Sequence, residues 1–251
     1  MLGQLVHNPV VADHLQTLGV QSGHLDHLDS AKTQRVVITA HGASDRHREA
    51  WQKAGHVITD TTCPLVRKAH AALATLVQEG YHPVVIGQRD HVEVRGLIGD
   101  FPEAVVILAE AQLAQIPDSR KIGVVSQTTQ PLDVVLQLVA AIKAHHPQAE
   151  VRFIDTVCHP TKQRQTALED ICRNCQVVVV IGGRNSNNTR QLTEKATRLG
   201  VRTHQVETAE DLQPDWFTGV TDVGVTAGTS TLDETIRKVM DRLKVITYKP
   251  N

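Results

Sequence analysis

Aromatic side chains are scarce: Phe, Tyr and Trp together make up 3% of the 251 residues. That argues against the stacked aromatic platforms on which bases and sugars rest. Charge of one sign is lacking as well. Lys and Arg number 26 against 27 Asp and Glu, for a net charge of −1, and no Lys/Arg-rich run occurs. A general nucleic-acid binder is therefore not expected. No stretch approaches the roughly 18 consecutive apolar residues of a membrane span. The opening MLGQLVHNPV has no basic region followed by an apolar stretch, so it does not read as a signal peptide. Only four cysteines are present, too few for a disulfide scaffold. They suit a reducing compartment, where Cys serves metal or catalysis, and a cytoplasmic location is expected. No linker or low-complexity tract appears. No Gly-x-x-x-x-Gly-Lys-Ser/Thr loop or Ser nucleophile elbow is present, so a kinase-like or hydrolase reading of the same architecture has no support.

Apolar residues make up 41%, enough for a real core, and they are arranged in a regular way. Short β-branched runs lie at 35–40 (RVVITA), 82–87 (HPVVIG), 122–126 (IGVVS), 151–155 (VRFID), 177–182 (VVVVIG) and 223–227 (VGVTA). Continuous apolar runs of this length suit strands buried on both faces. Between them lie helical patterns at 64–79, 131–146, 161–174, 188–199 and 231–243. The first has Pro at its start and Gly80 just past its end, as helices prefer. Strand–helix alternation predicts an α/β fold with mostly parallel sheets.

The pattern also repeats. Asp60-Thr61-Thr62-Cys63-Pro64 resembles Asp155-Thr156-Val157-Cys158-His159-Pro160, and each follows a strand and opens a helix. Cys63 stands 24 residues before Gly87, and Cys158 stands 24 before Gly182. Later in each unit a strand ends in a small polar loop, SQTTQ at 126–130 or TAGTS at 226–230. VHNPVV (6–11) and TAHGAS (39–44) stand for the corresponding loops of an earlier unit. Its Cys would fall roughly 20–30 residues before Met1, by extrapolating the repeat. The repeat leads to the expectation of three similar α/β units. They span 1–62 (N-terminally incomplete), 63–156, and 157–251 with a C-terminal tail.

Ligands of open parallel sheets bind beyond the carboxyl ends of the strands. The loops there carry His7-Asn8, His41, Cys63, His91, Glu93, Thr128, Cys158, Ser186-Asn187-Asn188 and Ser230. Neutral donors and imidazoles around helix N-termini suit a phosphate or diphosphate. Cys63 and Cys158 each precede a helix, where the dipole lowers a thiol pKa. Two such thiolates at equivalent positions, joined by a third, would complete a three-Cys site that leaves one iron of a [4Fe–4S] cube open. Glu93, beside His91 and Thr128, is placed to relay a proton. Cys172 and Cys175 form a CxxC, but without a second pair at zinc spacing and at the end of a helix rather than its start. A core or helix-end role is expected for them. The pairs His24/His27 and His145/His146 lie in polar segments and are expected at the surface.

VHNPVV, TAHGAS, DTTCPLVRKAH, IGQRDHVEVRG, SQTT, DTVCHPTKQRQ, IGGRNSNNTRQL and GVTAGTS resemble, in order, the motifs of the LytB (IspH) family of 4-hydroxy-3-methylbut-2-enyl diphosphate reductases. The resemblance covers essentially the whole chain. It implies three α/β domains around a [4Fe–4S] cluster, and reductive removal of the hydroxyl of an allylic diphosphate. The products would be isopentenyl and dimethylallyl diphosphate, at the last step of the non-mevalonate isoprenoid route. By matching position, Cys63 and Cys158 would be cluster ligands. His7, His41, His91, Ser186, Asn187, Asn188 and Ser230 would hold the diphosphate. Glu93 would deliver the proton and Thr128 would orient the substrate hydroxyl. A ferredoxin or flavodoxin would supply electrons. This sequence also departs from the family. The first cluster Cys, in a Gly-Phe-Cys-Ala-Gly-like segment, has no counterpart. The usual His-Pro-Glu-Val-Glu-Gly reads His91-Val92-Glu93-Val94-Arg95-Gly96, and a usual Ser-Ser-Asn reads Ser186-Asn187-Asn188. His159-Pro160 follows Cys158 in place of the usual aromatic-small pair. The alternative expectation is a non-catalytic, diphosphate-binding paralogue that has lost the cluster.

Overall fold

A computed structural model describes residues 1–3, 5 and 9–247. The helices are α1 (Pro9–Thr17), α2 (Asp45–Lys53), α3 (Pro64–Gln78), α4 (Val92–Ile98), α5 (Leu132–His145), α6 (His159–Asn174), α7 (Asn187–Arg198) and α8 (Asp233–Thr247). The strands are β1 (Arg35–Ile38), β2 (Val57–Asp60), β3 (His82–Ile86), β4 (Val105–Ile107), β5 (Lys121–Ser126), β6 (Glu150–Phe153), β7 (Val177–Ile181), β8 (Arg202–Val206) and β9 (Val223–Ala227). All the strand pairs are parallel, so the α/β fold with parallel sheets holds.

Contacts divide the chain into two compact units: Met1–Val6 with Ala12–Cys158, and His7–Val11 with His159–Asn251. The first holds a two-stranded sheet, β1-β2, and a four-stranded sheet in the order β4-β3-β5-β6. In the larger sheet, side chains alternate between faces as a strand requires. Val84, Ile86, Ile107, Ile122 and Val124 pack with Val135, Leu138 and Ile142 of α5. Val85, Val106 and Val125 pack with Leu73 and Leu76 of α3 and with Val94 and Leu97 of α4. Helices thus cover both faces, which is why these strands read as unbroken apolar runs. The smaller sheet closes over Leu2, Val36, Ile38 and Trp51.

The second unit repeats the plan with the strand order β8-β7-β9. Every residue of β7 is fully buried. Val177, Val179 and Ile181 meet Val239 and Leu243 of α8, while Val178 and Val180 meet Leu168 of α6 and Leu192 of α7. In both orders the chain leaves the middle strand to one side and returns on the other. This creates a switch point, between β3 and β5 in one unit and between β7 and β9 in the other, where ligands of such sheets bind.

Candidate active site

The Asp-Thr-x-Cys repeat has a physical reason. After β2, Asp60 Oδ1 accepts the Thr62 amide at 2.9 Å, and after β6, Asp155 Oδ1 accepts the Val157 amide at 3.1 Å. These are Asx turns. Thr61 Oγ1 donates to Ile38 O, the end of β1, and Thr156 Oγ1 donates to Ser126 O, the end of β5, both at 2.6 Å. Each turn is thereby stapled to the neighbouring strand. The Cys amides close the motif: Cys63 N–H reaches Ala40 O at 3.0 Å and Cys158 N–H reaches Thr128 O at 2.9 Å. Cys63 caps α3 and Cys158 immediately precedes α6, both half-buried. Burial lifts the Asp60 carboxyl, but hydrogen bonds from Thr62 and Arg48 outweigh it and hold it below its usual range.

At the switch point of the first unit, the loop after β3 turns directly into α4. The spacing HVEVRG read as loop, whereas the structure makes 92–98 a helix. His91 is its N-cap, and His91 Nδ1 accepts the Glu93 amide at 3.2 Å. Glu93 therefore sits in the first turn and points at the loop after β5. There the Thr128 amide donates to Oε1 at 2.6 Å and Thr128 Oγ1 donates to Oε2 at 2.9 Å. Glu93 is only 2% exposed. Its burial outweighs both Thr128 hydrogen bonds and raises the carboxyl to about 7. That value suits a group that must hold and release a proton near neutrality. The ring of His91 meets the ring of His41 edge to face, with centroids 5.7 Å apart. One unit thus brings together His41, His91, Glu93 and Thr128, with Cys158 bonded through its backbone to Thr128.

His41 also lines a cavity of about 500 Å³ with Arg48, Asp60, Arg67 and His70. Both arginines pair with Asp60, at 3.0 and 3.4 Å. Arg95, the charge reversal noted in the sequence, pairs with Asp26, which also holds His47 Nε2 at 2.9 Å. It is spent on a surface network, away from the Glu93–Thr128 pair.

The second unit carries Ser186, Asn187, Asn188 and Ser230. Ser186 caps α7 and accepts the Thr189 amide, the counterpart of His91 on α4. Asn188 thus matches Glu93 in position, and Thr161 Oγ1 donates to its Oδ1 at 3.4 Å. Asn187 and Asn188 are each 3% exposed. Asn188 Nδ2 is buried without a hydrogen-bond partner, a donor that costs free energy unless something accepts it. Ser230 follows β9 at the other side of the switch point. His7 and Asn8 lie outside the described residues.

Cys172 and Cys175 sit at the far end of α6, about 20 Å along the axis from its start by helix rise. Burial pushes both thiols up, away from the thiolate. His24, His27 and His145 are exposed as expected. His146 is a correction: it is only 8% exposed, its ring edge to face with that of His145 at 4.9 Å between centroids. The polar sequence around it gave no sign of that. Among the described residues, no helix is long and apolar enough to cross a membrane.

The whole chain is similar to known proteins. The family model described as LytB protein matches residues 1–244. The 4-hydroxy-3-methylbut-2-enyl diphosphate reductase of Geobacter metallireducens is 36% identical over 246 residues, covering 98% of this chain and 86% of the relative. That of Aquifex aeolicus is 35% identical over 249 residues, 98% of this chain and 85% of the relative. Among solved structures, the E-1-hydroxy-2-methyl-but-2-enyl-4-diphosphate reductase of Plasmodium falciparum superposes with a TM-score of 0.88 at 27% identity, over 96% of this chain and 76% of that one. A second structure, of (E)-4-hydroxy-3-methyl-but-2-enyl diphosphate reductase, is 33% identical with a TM-score of 0.66, over 97% and 87%. A family model spanning nearly the whole sequence, and relatives this similar over nearly all of it, show that the chain belongs to the LytB family.

Proposed function

We propose that this chain is a reductase that converts (E)-4-hydroxy-3-methylbut-2-enyl diphosphate to isopentenyl and dimethylallyl diphosphate. The observation that carries the reading is the Glu93–Thr128 pair, a buried carboxyl raised to about 7 at the switch point of a sheet, in a chain of this family. The relatives' names favour the reductase over the non-catalytic alternative. In this reading His7, His41, His91, Ser186, Asn187, Asn188 and Ser230 are the residues assigned to the diphosphate. The orphaned Asn188 amide supports this, since a phosphate oxygen would satisfy it. Thr128 orients the substrate hydroxyl. Glu93 carries its proton on Oε1 or Oε2 and gives it to that oxygen, which leaves as water. The three-unit division of the chain is supported by the matched loops after β3 and β7 and after β2 and β6.

The family implies a [4Fe–4S] cluster held by three cysteines. Cys63 and Cys158 fit in kind and placement, each at a helix start. Cys172 and Cys175 do not, being at the far end of α6 with thiols pushed up. The donor set of this sequence therefore falls one thiolate short of that site. The reduction takes up two electrons and two protons, one proton leaving in the water and the other, drawn from solvent, entering the new C–H bond of the product; a ferredoxin or flavodoxin is the proposed electron donor, in the cytoplasm. The experiment is anaerobic reconstitution with iron and sulfide, followed by turnover of the substrate under a strong one-electron reductant. Formation of both products, lost in Glu93→Gln, is the expected result. Binding of substrate with no turnover by the reconstituted chain would overturn the reductase reading.

A further inference from the structure

His41 and His91 face each other although they belong to different sheets: His91 follows β3, and His41 follows β1. Three contacts join the His41 loop to the C-terminal end of α4. At Gly96, an added Cβ would lie 3.5 Å from the backbone of Gly42 and 3.6 Å from that of Ala43. At Gly99 the approach is closer, and a Cβ would come within 2.7 Å of Ser44 Cβ and 2.8 Å of Ser44 Oγ. Next comes Asp100. Its Oδ2 accepts the Asp45 amide at 2.7 Å and its Oδ1 accepts the Arg46 amide at 3.0 Å. Ser44 Oγ accepts the next amide, from His47, at 3.2 Å. The first three free N–H groups of α2 are thus satisfied, two of them by a carboxylate from another element, where the helix dipole favours negative charge. Asp100 Oδ2 also lies 3.0 Å from Nε2 of His70, on the helix that Cys63 caps. Asp45, His70 and Asp100 each bring a donor atom within 4.8 Å of the others. Both Asp100 oxygens are already taken by amides at the positive end of a helix, so the cluster is a helix cap and not a cation site.

We propose that Asp100, with Gly99 beside it, is a positioning residue that locks the His41 loop onto α4 and so presets the His41–His91 pair for a diphosphate. This deepens the function proposed above and rests on it for the identity of the ligand. The carboxylate sits where three helices meet, each tied to a site residue: the start of α2, which follows His41; His70, inside the α3 that Cys63 precedes; and the end of α4, whose first turn carries His91 and Glu93. It touches no reacting atom, and its effect passes through the two imidazoles.

The test uses the full chain and inorganic diphosphate, with affinity read by calorimetry and the imidazole C–H resonances read by NMR. His41→Gln and His91→Gln assign those resonances. Asp100→Ala is expected to weaken diphosphate about tenfold, the scale on which lost preorganisation is felt, and to shift both ring resonances. Asp100→Asn keeps one acceptor oxygen and is expected to restore part of the affinity. Val139→Ala, which opens a cavity on the α5 side of the same sheet, is expected to lower Tm without moving affinity or resonances. Unshifted His41 and His91 resonances in folded Asp100→Ala overturn the proposal whatever the affinity. So does a shift of the same size in Val139→Ala. If Asp100→Ala does not fold, Asp100→Asn and Gly99→Ala carry the same readouts. A wild-type chain that takes up no diphosphate would count against the proposed function, and the resonances would then decide the positioning role by themselves.

Discussion

Glu93 shows how a single carboxyl is set by its surroundings. Burial disfavours its charged form, and the two Thr128 donors only partly compensate. The raised pKa makes a signed prediction about stability. The folded state holds the proton more tightly than the unfolded chain, so the contribution is fully present below about pH 4.5 and is lost as pH rises through about 7. Between pH 5 and pH 8 wild type should lose about 2–3 kcal/mol relative to Glu93→Gln. Urea denaturation of both proteins at the two pH values measures it, and parallel curves would refute it. Thr128→Val should push the same group further up, because a hydrogen bond to its charged form is removed. The basic limb of the activity profile should then move to higher pH. His91 and Glu93 were legible in the sequence as a pair in a loop. That they share the first turn of a helix was not, since α4 spans seven residues, too few for a periodic signal to stand out.

At the scale of elements, the repeated turn is the unit of construction. Thr156 Oγ1 accepts the Ser126 amide at 2.8 Å and donates to Ser126 O, so Thr156→Val would orphan a buried N–H and cost about 1–3 kcal/mol. Thr61→Val removes only a donor at a more open turn and should cost about 0.5–1.5 kcal/mol. Denaturation midpoints of the two variants decide the order. The thiols divide along the same lines. After anaerobic reconstitution, Cys63→Ser and Cys158→Ser should each retain less iron than wild type, while Cys172→Ser/Cys175→Ser should retain as much. Metal analysis with the visible absorption spectrum checks this, and iron lost only with the CxxC pair would reverse the assignment. The Asp and Thr of the Asp-Thr-x-Cys motif were visible as repeated letters because their side chains bond within the turn and to the adjacent strand.

Across the whole molecule, protection follows the sheets. The amides of β3, β5 and β7 lie between paired neighbours with helices on both faces, and they should exchange with deuterium most slowly. Those of β2 and β8, at sheet edges with half-exposed side chains, should exchange sooner. Mass-spectrometric exchange over minutes to hours tests the ranking. The central strands could be read from the sequence because burial on both faces leaves an unbroken apolar run. The edge strands β4 and β8 were not set out as strands for the converse reason: an edge needs fewer apolar residues, and its pairing depends on a neighbour outside the segment itself.

The sequence alone determined the class of fold, the repeated thiol turns and the set of polar loops, because these rest on local periodicity and on bonds between near neighbours. The kinship was likewise legible in ordered motifs. Only the tertiary structure decided that Glu93 is buried against Thr128, that His41 meets His91, that Arg95 is tied to Asp26, and that Asp100 caps a helix 55 residues before it. Each of these joins residues distant in the chain, and their energies depend on burial and on directed contacts that arise only when separate sheets and helices pack.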